Sequence, residues 1–449
     1  MGTVAERLAG FAADLQIGGG PAAHAARRLV LDTIAVGWAG REAPGIAAIR
    51  EQALQRGGRA EARLWGEALG VPASEAAFAN GCSVAALDFD AVHEGSILHA
   101  DAVVLPAALA VAEWQGRSGQ EFLSAYVAGI ELAHRLSLAT PRDGGWFGTS
   151  TAGVFGAAAA VARLMDLGAE GIHNALGIAL SLSSGTKQAI VERTLTKRLQ
   201  SAFAARSGVH AALAAAAGVT GPRDWLEGQF GWFSLYEMGD PSRVVDGLGS
   251  RFEFIETGIK KYPFCLCTHA AIDAAQALMS QHSLSASEIE GVEVTISPYM
   301  NRIVGGAFDP SGDAQVAGQF SIQYAVARGL AASAPGLEEI QPDNVRDPQI
   351  GRLARSVAIR IEPSWPGKLT PAAVAIRTAR HGVLSRIVDR LPGSAERPLS
   401  DEELEAKATA CLAAGGMVQA QIPHFIARIS GIDSLARVSE LFLELETAC

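Results

Sequence analysis

Gly291-Val292-Glu293-Val294-Thr295-Ile296 alternates β-branched apolar residues with others at a period of two, the pattern of a strand with one buried face. Val357-Ala358-Ile359-Arg360-Ile361-Glu362 and Ala373-Val374-Ala375-Ile376-Arg377-Thr378 repeat the pattern, and Arg380-His381-Gly382 supplies the turn of a hairpin. Residues 269–281 and 319–332 read as helices between these strands. On both sides of this region the texture is helical. Arg27 to Gly40 sets Leu31, Ile34, Ala35 and Trp38 on one face, with Gly40 as a stop. Residues 72–87 form another helix and residues 106–139 two more, with Pro106 in a first turn. Residues 144–221 are rich in Ala and Gly and read as packed helices with small residues at their contacts. Leu391-Pro392-Gly393-Ser394 closes the strand region. From Ser400 the chain returns to helix, with Asp401, Glu402 and Glu403 as an acidic first turn. The predicted fold is therefore mainly α: a large all-helical domain, residues 1–262 and 395–449, interrupted by a smaller α+β domain, residues 263–394.

Composition bounds the partners. A chain of 449 residues exceeds what one core usually serves, which supports two domains. With 49% hydrophobic and 19% charged residues it is compact rather than disordered. The net charge of −10 argues against nucleic acid. The longest uncharged run, Gly144 to Ala162, is mostly Gly, Ala, Ser and Thr and lacks the Leu, Ile and Phe that drive membrane insertion. Cys82, Cys265, Cys267, Cys411 and Cys449 are sparse and odd in number. With no apolar leader near Glu6, Arg7 and Asp14, they read as reduced thiols in the cytoplasm.

The densest chemistry lies in Leu87-Asp88-Phe89-Asp90-Ala91-Val92-His93-Glu94-Gly95-Ser96-Ile97-Leu98-His99-Ala100-Asp101. Carboxylates and imidazoles crowded into apolar surroundings need partners or a task, since burying them unpaired is costly. This stretch reads as one wall of an active site. Asp88, Asp90, His93 and His99 could also ligate a divalent ion, the basis of a metal-dependent lyase reading, although their spacing matches no metal motif. Lys187, Arg193, Lys197, Arg198 and Arg206 stand against Glu192 alone, a candidate anion site on an acidic chain; the plainer reading is a solvated helix face. Lys260-Lys261-Tyr262-Pro263 falls at the domain junction, where a lysine can hold a carboxylate. Cys265, Cys267 and His269 would share one side if extended. Walker A, Gly-x-Gly-x-x-Gly, His-Glu-x-x-His, Cys-x-x-Cys and Gly-x-Ser-x-Gly motifs are absent.

Taken in order, Leu31-Asp32-Thr33-Ile34, the Asp88–His99 stretch with Val103-Val104-Leu105-Pro106, Gly153-Val154-Phe155-Gly156-Ala157-Ala158, Thr196-Lys197-Arg198-Leu199 with Ala205-Arg206-Ser207-Gly208, Gly218-Val219-Thr220-Gly221-Pro222, and Ile259-Lys260-Lys261-Tyr262-Pro263 with Thr268-His269 resemble the 2-methylcitrate dehydratase (MmgE/PrpD) family, which includes cis-aconitate decarboxylase and iminodisuccinate epimerase. The resemblance covers nearly the whole chain. It implies a helical domain with a small α+β lid, a cytoplasmic homodimer, a small di- or tricarboxylate substrate, and neither metal nor organic cofactor. By the same resemblance Asp88 corresponds to the first Asp of Asp-x-Asp-Asp-Thr, His99 to the His of His-Pro, Lys197 to a lysine before the Gly/Ala-rich helix, and Lys260 to that of Lys-x-Tyr-Pro. His93 and His269 fall where His is frequent.

Five positions depart from that pattern. Ala91 and Val92 replace Asp and Thr, Ala100 replaces Pro, and Phe147 and Cys265 each replace a His found in the dehydratase and decarboxylase. Dehydration must take a proton beside a carboxylate and give one to a leaving hydroxyl, two distinct proton-transfer tasks. Epimerisation needs only removal and return of one proton, with cations to hold the enediolate-like intermediate. The expected catalytic set is Asp88, His99, Lys197 and His269; the expected substrate-binding set is His93, Arg198, Arg206 and Lys260. The expected reaction is epimerisation of a dicarboxylate such as iminodisuccinate, with dehydration or decarboxylation of a tricarboxylate as the alternative and a non-catalytic helical dimer as a further one.

Overall fold

The computed structural model describes residues 2–140, 144–236, 239–331 and 335–443; Cys449 lies outside them. Two compact units emerge. One is Met1–Thr257 together with Asp401–Cys449, the other Gly258–Ser400. The expected boundaries lay a few residues inside the second unit at both ends. The reason is a main-chain hydrogen bond: Ile259 N donates to Gly393 O at 2.8 Å, so the segments entering and leaving this unit are tied to each other and both belong to it.

The first unit is helical. Its helices include α1 (Val4–Asp14), α2 (Pro21–Gly40), α3 (Ile46–Arg56), α4 (Ala73–Ala85), α5 (Asp101–Gln115), α6 (Gly119–Ala139), α7 (Gly148–Leu164), α8 (Gly168–Leu180), the single turn α9 (Gln188–Val191) and α10 (Lys197–Ala216). Capping boxes start α1 (Thr3 with Glu6) and α6 (Ser118 with Glu121), and Pro21 opens α2. Pro106 is not in a first turn as expected. It sits inside α5, which begins at Asp101. The whole of Asp101–Ala112 is buried, and the tertiary packing this implies outweighs the one helix bond a proline forfeits.

Small residues set the helix spacing at the centre. A Cβ on Gly156 would stand 2.5 Å from Gly129 O, and one on Gly208 would stand 2.4 Å from Ala157 Cβ, so α7 meets α6 and α10 backbone to backbone. This close approach fixes the N-terminal ends of α7 and α10, which carry the site described below. No described helix is long and apolar enough to cross a membrane.

The second unit holds a four-stranded sheet of β1 (Ile289–Ile296), β2 (Val357–Ile361), β3 (Ala372–Thr378) and β4 (Gly382–Val388), in the order β2-β1-β3-β4. β1 and β2 are parallel, with Val294 opposite Ile359, and β3 and β4 form the antiparallel hairpin whose turn joins Thr378 to Gly382. Val292, Val294 and Ile296 alternate with more open positions, as do Ala372, Val374 and Ile376. β3 and β4 pack on α11 (His269–Gln281), which in turn meets α12 (Ile322–Ala331); α12 also packs on α13 (Pro348–Ser356). The chain then re-enters the helical unit through α14 (Asp401–Ala414), which packs along α2.

Candidate active site

After α4 the chain makes a left-handed step at Asp88, φ 52°. Asp tolerates that region better than most residues, yet the conformation persists only where surroundings impose it. Residues 93–98 then fold back on themselves: His93 N donates to Leu98 O at 3.0 Å and Leu98 N to His93 O at 3.4 Å. Ile97 is also left-handed, φ 52°, which a β-branched residue rarely adopts. The reversal brings the two ends of the stretch together, so that His99 Nδ1 lies 2.8 Å from Asp90 Oδ2. His99 N donates to Thr149 Oγ1 at 3.2 Å, fastening the His99 backbone to the first turn of α7.

α10 supplies the cation. Lys197, its first residue, places Nζ 2.5 Å from Asp88 Oδ1. Two proton-carrying groups, the His99 imidazole and the Lys197 ammonium, are therefore each held by a carboxylate of the same three-residue turn. Both carboxylates are almost fully buried, while the imidazole and the ammonium retain slight exposure. An imidazole fixed at Nδ1 by a carboxylate leaves Nε2 for proton transfer, and a nearby ammonium can hold an oxyanion.

The other expected residues sit in different surroundings. His93 and His134 are both buried, with ring centroids 4.6 Å apart. His93 Nδ1 accepts from Ser96 N at 3.2 Å, which puts the proton of the neutral ring on Nε2, and His134 Nε2 pairs with Thr257 Oγ1 at 3.3 Å. Burial holds the pKa of His93 below the ordinary histidine value; burial and then the neighbouring His93 hold that of His134 well below it. Arg198 is buried and donates to Pro44 O at 3.0 Å. Arg206 stacks 4.4 Å from the Phe78 ring centroid, with Glu75 at 3.8 Å. Nine residues separate it from Lys197, about 13 Å and half a turn around α10, so the two point to opposite sides of that helix. Residues 187–196 are not a solvated helix face: they form α9 and turns, and the long helix begins only at Lys197.

In the second unit Lys260 is buried. Tyr262 donates its hydroxyl to Gln276 Oε1 at 2.7 Å and packs edge-on against His269, with centroids 5.2 Å apart. His269 is fully buried, with Nε2 at 3.1 Å from Phe264 O. Cys265, Cys267 and His269 do not lie along an extended strand. Leu266–Thr268 is a 3-10 turn running directly into α11, because Thr268 Oγ1 and Thr268 N both bond back to Cys265 O. Cys82, Cys265, Cys267 and Cys411 are buried. Among the described residues no cluster of three or more His, Cys, Asp or Glu has metal-holding geometry.

Residues 6–244 match the MmgE/PrpD N-terminal domain and residues 262–424 the MmgE/PrpD C-terminal domain. The chain belongs to the MmgE/PrpD family. Similar proteins include the cis-aconitate decarboxylase of Aspergillus terreus, 28% identical over 358 residues, which are 74% of this chain and 72% of that one. The human cis-aconitate decarboxylase is 26% identical over 405 residues, 85% of this chain and 81% of its own. A cis-aconitate decarboxylase-like protein of Aspergillus oryzae is 26% identical over 412 residues, 85% and 84% respectively.

Seen as an MmgE/PrpD chain, its departures from the family motif acquire a place. Ala91, Val92 and Ala100 are fully buried apolar neighbours of the Asp/His stretch. Phe147 is the residue before α7, its N–H donating to Gly185 O at 3.1 Å, so an apolar ring stands next to the turn that anchors His99. Sequence reasoning singled out no role for Lys407, Asp101 or Tyr126. Asp101 is fully buried and accepts a hydrogen bond from the Tyr126 hydroxyl. Burial, with the charges of Asp32 and Asp90 pushing the same way, raises its pKa to about 7. A lysine at 407 looks ordinary in the chain, and Asp101, although it closes the dense Asp/His stretch, shows its buried partner only through packing.

Proposed function

We propose that this MmgE/PrpD chain moves a proton at the carbon beside a carboxylate of a small polycarboxylate, with its own side chains as acid, base and counter-charge. The observation that carries the reading is the pairing of His99 with Asp90 and of Lys197 with Asp88, both built from one turn. His99 takes the proton at Nε2 while Asp90 stabilises the imidazolium. Lys197, oriented by Asp88, lies ready to neutralise the enediolate oxygen that forms on the substrate carboxylate. His269, Lys260, Arg198 and His93 remain proposed acid-base or carboxylate-binding groups, whereas Arg206 points to the side of α10 opposite Lys197 and is left out.

The finer reading is epimerisation of a dicarboxylate of the iminodisuccinate type. It is supported by what surrounds the two pairs: Val92 and Phe147 stand where the family motif offers a hydroxyl and an imidazole for a second proton-transfer task. A second reading, decarboxylation of a tricarboxylate, is favoured by the names of the similar proteins. It uses the same groups in reverse: carbon dioxide leaves, Lys197 holds the enediolate, and the imidazolium of His99 protonates carbon. A homodimer is part of the proposal, and light scattering on the purified protein tests it.

Proton NMR in deuterated water with iminodisuccinate and with cis-aconitate decides between the readings. Deuterium entering at carbon with no other product supports the epimerase. Release of carbon dioxide or of water replaces it with the corresponding lyase. No change in either substrate refutes proton transfer on this class.

A further inference from the structure

The turn that holds both pairs is itself held from the far end of the chain. Lys407 lies in α14, within the segment that returns after the α+β unit. Its Nζ is 2.6 Å from Asp32 Oδ1, donates to Phe89 O at 3.0 Å and stands 3.8 Å from the centroid of the Phe89 ring. Phe89 is the residue between Asp88 and Asp90. Both the Asp32 and Lys407 side chains are almost wholly buried.

We propose that Lys407, charge-matched by Asp32, is a positioning residue for the proton transfer: it fixes the Phe89 peptide and ring, and so aims Asp88 at Lys197 and Asp90 at His99. The proposal rests on the functional reading above. Its physical basis is the left-handed backbone at Asp88, which does not hold itself. An ammonium offers three donors from a compact charge, which suits simultaneous contact with a carboxylate, a carbonyl and a ring face. Asp32 keeps the ammonium in place. Without Lys407 the Phe89 carbonyl loses this donor and the ring loses its cation, leaving both carboxylates less firmly aimed.

A buried ion pair that only stabilises the fold would look similar in a single mutant, so the test uses a neutral pair. Asp32→Asn combined with Lys407→Met removes both charges at nearly constant volume, an exchange folds often tolerate. The expected double variant melts within a few degrees of the wild type, yet loses about 100-fold in kcat, the cost of misplacing reacting groups by about 1 Å. Its KM stays within about 3-fold, because the binding groups are untouched. A crystal structure of the double variant is expected to show the Asp90–His99 or the Lys197–Asp88 pair opened beyond hydrogen-bond reach. Wild-type kcat in the double variant, or both pairs unchanged in its crystal structure, overturns the proposal. If the wild type turns over neither iminodisuccinate nor cis-aconitate, the functional reading falls; the crystallographic arm still decides whether Lys407 holds the turn.

Discussion

Replacing Asp101 by Asn should stabilise the protein, and more so as pH rises. Asp101 opens α5, where a helix N-terminus ordinarily favours a carboxylate anion. Here the side chain is fully buried: Oδ1 accepts from Tyr126, and Oδ2 has no partner among the described residues. Burial dominates and lifts the pKa from 3.8 to about 7. The folded chain therefore keeps a proton that the unfolded chain releases between those two values. Stability from this group is greatest below pH 4, declines as pH rises towards 7, and is level above it. At 1.36 kcal/mol per pH unit, the penalty is on the order of 4 kcal/mol at pH 8 and about 2 kcal/mol at pH 5. Asn copies the neutral acid and can still accept the Tyr126 hydrogen bond. Urea unfolding followed by tryptophan fluorescence, to which the buried Trp65 and Trp225 contribute, measures the difference at each pH. The gap between variant and wild type should widen by roughly 2–3 kcal/mol from pH 5 to pH 8. A gap that stays constant, or a wild type that gains on the variant at pH 8, would refute the account of Asp101 as a neutral acid.

Asp90→Asn should lower kcat by about 100-fold or more on whichever substrate the wild type turns over, since the imidazole loses the carboxylate that stabilises its charged form; full activity would remove His99–Asp90 from the mechanism. Gly156→Ala places a methyl within 2.5 Å of Gly129 O and should cost about 1–3 kcal/mol in thermal or urea unfolding, which an unchanged melting temperature would contradict. Arg135 is buried beside Glu131 and donates to Val244 O, Asp246 O and Arg251 O, so Arg135→Ala should cost about 3–5 kcal/mol, whereas Arg251→Ala at an exposed ion pair should cost under about 1 kcal/mol. Phe147→His restores an imidazole beside the His99 anchor; water or carbon dioxide release should rise relative to deuterium exchange, and an unchanged product ratio would show that position 147 does not select the reaction.

The strands were legible because one face of the sheet is buried and the other is not: Val292, Val294 and Ile296 announce themselves by period alone. The helices at the centre were legible from their small residues, which pack as tightly as the Gly129–Gly156 contact demands. Pro106 misled because the rule for proline describes an isolated helix, while α5 is buried on all sides. The Asp/His stretch stood out by density, but the pairing within it depends on a backbone reversal at Ile97 that no propensity foretells. Within the basic cluster, charge alone did not separate Arg198 and Arg206 from Lys197. Helical periodicity distinguishes Arg206 from Lys197 once α10 is known to begin at residue 197, whereas Arg198 is explained only by the carbonyl of Pro44 across the fold.

Asp101 and Lys407 together explain how so many carboxylates are tolerated behind one imidazole. Asp32, Asp90 and Asp101 interact electrostatically within the helical unit, with Lys407 as the ammonium against Asp32. Three ionised carboxylates at this depth would repel one another strongly. The structure relieves that tension in two ways. Lys407 matches Asp32, and Asp101 holds its proton up to about pH 7. Asp90 is then the carboxylate of the three that faces His99. On this reasoning the neutral acid at 101 is part of what gives Asp90 its partner, and Asp101→Asn, which preserves neutrality, should leave kcat close to the wild-type value while raising stability. The Asp32→Asn, Lys407→Met pair should do the opposite, sparing stability and losing kcat. Two substitutions in one buried network with opposite signatures separate the charge that the fold merely accommodates from the charge that aims the chemistry.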